Sequence, residues 1–105
     1  MNRGDIHWVT FPSPDGRRPG VVLTRQSGLG FLTSVTMAPI TTTLRPIRTW
    51  VQLEASDGIP QRSCINLDSI QTVRIERVGA YITGLPTARM EEVGRAIAFA
   101  LGLDT

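Results

Sequence analysis

The sequence has no lysine, one cysteine, one histidine and no long run of apolar residues. A disulfide bond within the chain needs two cysteines, and a structural zinc site needs several Cys or His ligands, so both are excluded. No window approaches the roughly 18 apolar residues of a membrane span, and the first residues lack the apolar core of a secretory signal. We therefore expect a protein of the reducing cytoplasm, without membrane association, metal or other cofactor.

The chain is short and moderately apolar. With 105 residues, of which 41% are hydrophobic, it predicts a single domain over residues 1–105 with one modest core. A domain of this size is often completed by a second copy of itself, so a homodimer is expected.

All eleven basic residues are arginine. Codon bias in a GC-rich genome explains this as well as function does, although planar guanidinium groups bind phosphate through paired hydrogen bonds. The charge is also unevenly distributed: residues 1–50 hold six arginines against two acids, whereas residues 51–105 hold five against seven. The basic first half predicts a polyanionic partner, but a net charge of +2 is too small to show one alone.

Short β-like runs, separated by Gly, Pro and Asp, fill the first four fifths of the chain. They predict six strands, at residues 5–11, 20–26, 32–40, 48–54, 63–67 and 70–78. Residues 87–101 instead repeat apolar side chains at helical spacing, with Thr87 as a candidate N-cap and Gly102 as a C-terminal stop. The predicted fold is mostly β: a small antiparallel barrel followed by one C-terminal helix that packs on it.

Few side chains remain that could carry chemistry. The single histidine, His7, lies in a predicted strand, where a histidine is usually a surface or packing residue, so a Ser-His-Asp site is disfavoured without being excluded. The other donors form two clusters, RRP at residues 17–19 before the second predicted strand and TTT at residues 41–43 after the third. Arginines there are most often solvated and threonines most often turn-forming, so neither cluster alone identifies a site.

Five segments of the chain together carry a family resemblance. They are RGDIHWVTF at residues 3–11, RRPGVVL at 17–23, VTMAPITT at 35–42, SCINLDSIQTV at 63–73 and MEEVGRAIAFALGL at 90–103. In this order they resemble the MazF/PemK family of toxin endoribonucleases, and the spacing from Arg18 to Thr41 fits that family too. The resemblance implies an SH3-like barrel with a C-terminal helix, a homodimer and mRNA interferase activity.

The resemblance also implies roles for single residues. Arg18 matches the family's catalytic arginine, Thr41 its catalytic threonine or serine, and Asp68 an acidic residue that some members place near the scissile phosphate. Arg17 and Thr42 match neighbouring positions and are expected to bind substrate. The implied reaction is metal-independent, sequence-specific cleavage of single-stranded RNA by the ribose 2′-hydroxyl, which leaves 2′,3′-cyclic phosphate and 5′-hydroxyl ends. The implied inhibitor is a cognate antitoxin of the MazE type with an acidic tail.

Several positions depart from the family pattern. The first loop, PSPDG at residues 12–16, is short, Leu29 replaces a common asparagine, Asn66 replaces an arginine of some members, and Gln71-Thr72 stands where Arg-Thr is common. Contacts that other members make to bases in the first loop therefore cannot be transferred.

Two alternative functions stay open. A protein of this fold can be a binding module, like the gyrase-inhibiting toxins, or a degenerate toxin that has lost its activity. The gyrase-type relatives lack the pair of arginine and threonine, so the presence of Arg18 and Thr41 favours the nuclease.

Overall fold

Seven strands and one long helix make up the computed structural model, which describes residues 1–104. The elements are β1 (Asp5–Thr10), β2 (Arg17–Val22), β3 (Ser34–Thr41), β4 (Trp50–Leu53), β5 (Ser63–Asn66), β6 (Gln71–Arg74), β7 (Val78–Gly84) and α1 (Thr87–Ala100). Short 3₁₀ turns join several of them, at Gln26–Gly28, Ala55–Asp57, Leu67–Ser69 and Ile75–Arg77.

The strands form one antiparallel sheet in the order β4-β5-β3-β2-β1-β7, with β6 paired to β3. β3 is long enough to have two neighbours on one side, since Ser34 to Met37 pair with β6 while Ile40 and Thr41 pair with β5. Among residues 1–104 no pairing joins β4 to β7, so the curled sheet is barrel-like without being closed. The predicted class, an antiparallel barrel-like sheet followed by a helix, is confirmed.

The sheet separates two apolar clusters. The helix-side cluster packs Val93 and Ala96 of α1 against the sheet, and the inner cluster lies inside the curl. The buried members of the inner cluster are Val9, Phe11, Val22, Val35, Met37 and Val73. Val21 and Val22 of β2 belong to different clusters, because successive side chains of a strand point to opposite faces. By the same alternation, Arg17 and Arg18 of β2 point to opposite faces of the sheet.

The segment predicted as one strand at residues 70–78 divides in the structure. β6 ends at Arg74, the turn Ile75–Arg77 follows, and Val78 begins β7. β7 is mostly exposed and contains two glycines, so its sequence lacks the alternation of a half-buried strand. Distant pairing with β1 defines it instead, from Val9 opposite Val78 to Asp5 opposite Gly84. The prediction of six strands is therefore wrong by one.

Helix α1 differs from its prediction at one end only. Pro86 holds the N-cap position and Thr87 is the first helical residue, with no side-chain capping bond, so the predicted Thr87 cap is wrong. At the other end Gly102 has φ +70° and its amide donates to the carbonyl of Phe99. This left-handed terminator confirms the predicted stop. No helix within residues 1–104 has both the length and the apolar character needed to cross a bilayer.

An ion pair fastens the start of α1 to the turn after β4. Arg89 donates from Nε to Oδ1 of Asp57 at 3.1 Å and from Nη2 to Oδ2 at 2.9 Å, and the Asp57 side chain is only 6% exposed. Burial raises the pKa of Asp57, but hydrogen bonds from Arg89 and from the Glu54 amide outweigh this, so the pKa is lowered overall. The carboxylate therefore stabilises the fold above the unfolded pKa, and this contribution is lost as the pH falls through the folded pKa.

We expect Asp57→Asn to lower the free energy of unfolding by about 2 kcal/mol at pH 7, because it weakens hydrogen bonds to a charged group. The difference in the free energy of unfolding between variant and parent should have its full size above pH 3.8, the ordinary aspartate pKa. It should become smaller below that pH. Denaturant unfolding at several pH values measures this. Glu92→Gln is the control, since Glu92 is 44% exposed on the other side of Arg89 and should contribute less than about 1 kcal/mol. Equal losses in the two variants would contradict the prediction.

Candidate active site

Arg18 lies inside β2, where it pairs with Val9 of β1. The prediction that Arg17 and Arg18 form a loop before the strand is wrong, because pairing with the end of β1 extends β2 back to residue 17. Arg18 is half-buried, and its Nε donates to the main-chain carbonyl of Asp15 at 2.9 Å. Its two terminal nitrogens make no hydrogen bond to any of residues 1–104, so they can receive an anionic ligand.

Thr41 is the last residue of β3 and is half-buried. Pairing of β2 with β3 runs from Val22 opposite Met37 to Gly20 opposite Pro39. Because side chains two residues apart in a strand share a face, Arg18 and Thr41 lie on the same face of the sheet as these pairs. The Thr41 Oγ1 accepts from the Thr43 amide at 3.2 Å, which leaves its O–H free to donate.

Asp68 lies in the 3₁₀ turn Leu67–Ser69 after β5 and is exposed. Its Oδ2 accepts a 2.6 Å hydrogen bond from the hydroxyl of buried Thr49, and no hydrogen bond within residues 1–104 occupies Oδ1. Asn66 holds the turn, because its Oδ1 accepts from the Asp68 amide at 2.9 Å while its Nδ2 donates to Ser69 Oγ at 3.2 Å. The Asp68 carboxylate is therefore oriented at one oxygen and available at the other.

Within residues 1–104 no hydrogen bond joins any two of the three predicted catalytic residues directly. Asp68 makes no hydrogen bond or ion pair with Arg18 or Thr41 in the described part of the chain. A set of hydrogen bonds connects them instead: Gln71 Nε2 donates to Asp15 Oδ2 at 2.7 Å and to the carbonyl of Ser69 at 3.3 Å. Asp15 in turn holds Arg18, and Ser69 belongs to the turn that carries Asp68.

Arg17 points to the opposite face of β2 from Arg18, as strand alternation requires, and Thr42 follows directly after the end of β3. The Arg17 guanidinium stacks on the ring of Trp8, with its Cζ 4.5 Å from the ring centroid. Thr42 lines a largely apolar pocket of about 300 Å³ to which Trp8 also contributes. Arg17 and Thr42 therefore both lie near Trp8, and Arg17 points away from the face that carries Arg18.

Sequence reasoning missed two further groups of residues around the site. Asp15 and Gln71 were noticed only as parts of a short loop and of a departure from the family pattern. Trp50 was not singled out; it pairs with Asn66 of β5 two positions from the Thr41 row, on the same face, and the Arg45 guanidinium lies 5.1 Å from its ring centroid. Both groups depend on pairings between distant segments, which no local pattern in the sequence reveals.

The positive charges of β2 are uncompensated. Neither Arg17 nor Arg18 forms an ion pair with any residue from 1 to 104, whereas Arg48, Arg62 and Arg89 all do. Within the same residues no three His, Cys, Asp or Glu side chains come together as a metal site. Each face of this strand end therefore carries one guanidinium group without a carboxylate partner in the described residues, and such a group can bind a phosphate.

Comparison with known proteins gives consistent matches over the whole chain. The profile of the PemK-like, MazF-like toxins of type II toxin-antitoxin systems matches residues 2–101. Endoribonuclease MazF3 of Mycobacterium tuberculosis is 38% identical over 90 residues, 86% of this chain and 87% of that protein. The solved Mycobacterium tuberculosis toxin MazF-mt6 is 36% identical with a TM-score of 0.87, over 96% of this chain and 99% of that one. A mycobacterial endoribonuclease solved in complex with its cognate antitoxin is 28% identical, with a TM-score of 0.85 over 98% and 96%.

Fold and site thus define a small curled-sheet protein in which an arginine without an ion pair to residues 1–104 shares a face of the sheet with a strand-end threonine. The profile match and the relatives above 30% identity place it further: the chain belongs to the PemK-like, MazF-like toxin family of type II toxin-antitoxin systems. The family predicted from the sequence is confirmed, and endoribonuclease is the enzyme class that the names of these relatives give.

Proposed function

We propose that this chain is a metal-independent endoribonuclease toxin that cleaves single-stranded RNA at specific sequences. The observation that supports this most directly is Arg18: it is half-buried, held at Nε, and without an ion pair or a hydrogen bond from its terminal nitrogens to any of residues 1–104. Family membership supplies the reaction class, and the geometry of Arg18 supplies a group that can act on a phosphate.

In the proposed reaction the ribose 2′-hydroxyl attacks the adjacent phosphorus. A base removes the hydroxyl proton, negative charge grows on the phosphate oxygens, and the bond to the 5′ oxygen breaks as that oxygen gains a proton. The products are a 2′,3′-cyclic phosphate and a 5′-hydroxyl. Arg18 would stabilise the developing charge through two parallel N–H groups, and Thr41 would donate its O–H to a phosphate oxygen.

Asp68 is the proposed base. A guanidinium stays protonated near neutral pH and is a poor proton acceptor, whereas a carboxylate accepts readily. Oδ1 of Asp68 is the free acceptor, and the bond from Thr49 to Oδ2 orients it. The exposure of Asp68 allows a strand of RNA to reach it from solvent.

Substrate binding is proposed for Arg17 and Thr42, next to Trp8. A guanidinium stacked on an indole offers both a phosphate contact and a flat surface for a base, the combination that proteins use on single strands. Single-stranded RNA is the proposed form, because its bases can unstack and be read, whereas the narrow major groove of a duplex hides them.

The proposed partners are a second copy of this chain and an antitoxin with an acidic tail. A relative solved with its cognate antitoxin supports the second, and so does the uncompensated charge of Arg17 and Arg18. An acidic, initially disordered tail that folds along the end of β2 would compete with RNA for these arginines.

One preparation of the pure protein tests these proposals. Before RNA is added, light scattering should give the mass of two chains. In EDTA, a long RNA should then be cut into discrete fragments with 5′-hydroxyl ends, and co-purification with the product of a small neighbouring gene should abolish cleavage. Intact RNA beside a folded protein would support the binding module or the degenerate toxin instead.

A further inference from the structure

Gln71 occupies a particular position in the hydrogen bonding around the site. It begins β6, where it pairs with Met37 of β3, and Met37 belongs to the inner cluster. Its half-buried amide Nε2 donates to Asp15 Oδ2 at 2.7 Å and to the carbonyl of Ser69 at 3.3 Å. Both amide hydrogens therefore have acceptors, one in the loop between β1 and β2 and one in the turn that carries Asp68.

The loop that receives the first of these bonds is closed by a main-chain bond from the Phe11 amide to the Gly16 carbonyl at 2.9 Å, and Gln71 adds the side-chain bond to Asp15. Residues 12–14 are exposed, so the loop buries little apolar surface. Its Asp15 nevertheless provides the one acceptor in residues 1–104 that binds the side chain of Arg18, through the main-chain carbonyl at 2.9 Å. The position of Arg18 depends on Asp15, and the position of Asp15 depends on Gln71.

We propose that Gln71 is a positioning residue of the cleavage reaction, which holds Asp15 and through it aims the Arg18 guanidinium. The inference rests on the role proposed above for Arg18. Preorganised donors lower a barrier because they need no rearrangement when charge develops, and a small misplacement of such a group is costly. The same amide reaches the turn of Asp68, so it links the proposed charge stabiliser with the proposed base.

The hydrogen bond from Gln71 to Asp15 determines which side chains can replace the glutamine. The position must donate to a carboxylate, and both an amide and a guanidinium can do so. A carboxylate at residue 71 could not donate, and it would repel Asp15. Asparagine lacks one methylene, which places its amide short of the 2.7 Å contact. Gln71→Arg should accordingly preserve the arrangement, and Gln71→Glu should break it.

The first experiment exchanges the hydrogen-bond donor at residue 71 and the acceptor at residue 15. Gln71→Glu should lower kcat between about 10- and 100-fold with little change in KM, the scale expected when a catalytic group is displaced by about 1 Å. The double variant Asp15→Asn/Gln71→Glu restores one amide and one carboxylate in reversed order and should recover most of the rate, as should Gln71→Arg. Gln26→Glu, which adds the same charge in the 3₁₀ turn Gln26–Gly28 after β2, is the control and should leave kcat near the parent value.

The second experiment needs no RNA. Exchange of the Arg18 Nε proton, measured by nitrogen-15 NMR on the free protein, should be faster in Gln71→Glu than in the parent and slow again in the double variant. If Gln71→Glu cleaves as slowly as expected but the double variant and Gln71→Arg recover nothing, or if the exchange rate does not change, the positioning role is wrong. If Arg18→Ala leaves cleavage unaffected while the exchange results hold, the catalytic role proposed for Arg18 is wrong. The hydrogen bonds by which Gln71 and Asp15 hold Arg18 would still stand.

Discussion

Arg18→Ala should slow RNA cleavage by about 100- to 1000-fold, the usual cost of removing one oriented donor from a developing negative charge. The reason is geometric, since the Nε bond to Asp15 fixes the guanidinium and leaves its two terminal nitrogens for the phosphate. Single-turnover kinetics on a short RNA with one cleavage site measures the effect on the chemical step.

Arg18→Lys should recover only part of this loss. Lysine keeps the positive charge but cannot present two parallel N–H groups to a phosphate, and it has no Nε to bind Asp15. Partial recovery would show that geometry contributes beyond charge. Arg25→Ala removes one exposed arginine that precedes the turn Gln26–Gly28 and forms no ion pair with residues 1–104, so it controls for the net charge. Its rate should stay near that of the parent.

Stability separates a catalytic effect from unfolding. Arg18 contributes one hydrogen bond to a half-buried strand end, so Arg18→Ala should cost about 1 kcal/mol of folding free energy and leave the protein folded. A folded Arg18→Ala variant that cleaves at the parent rate would show that the phosphate is held elsewhere, even though the family assignment stands.

The sequence predicted the candidate site better than it predicted the way the site is held. The side-chain types of Arg18 and Thr41 and their strand-end positions are local properties, so they could be found by matching segments. Their shared face follows from the register between β2 and β3, which no local pattern contains. The hydrogen bond between Gln71 and Asp15 joins positions 56 residues apart. The sequence alone indicates Gln71 only as a departure from an arginine that is common in the family.

In the fold, too, features with a local sequence pattern were predicted, and features that depend on the pairing of distant segments were not. Strands with alternating apolar residues were found within a few residues, whereas β7 was missed because its stability comes from pairing with β1 and not from its own pattern. The start of β2 was placed three residues late for a related reason. Two arginines and a proline are typical of a loop, but the end of β1 pairs with Arg17 and Arg18 and makes them part of the strand.

Asp68→Asn should slow cleavage by about 100- to 10,000-fold, the contribution usual for a general base. Asparagine has nearly the same shape and can still accept from Thr49, so the turn after β5 should keep its structure. The pH dependence gives the sharper readout. The parent rate should fall on the acid side because a protonated carboxylate cannot accept the 2′-hydroxyl proton, and the variant should lack this fall.

The control for Asp68→Asn is Glu76→Gln, which removes a surface carboxylate whose salt bridge to Arg74 is solvent-exposed and should leave the rate and its pH profile unchanged. Within residues 1–104 Asp68 forms no hydrogen bond with Arg18 or Thr41, so the assignment requires the three side chains to act on the same bound RNA. If Asp68→Asn cleaves at the parent rate with the acid limb intact, another group accepts the proton. Arg18 would then keep its role, because charge stabilisation and proton removal act on different oxygens of the same reacting centre.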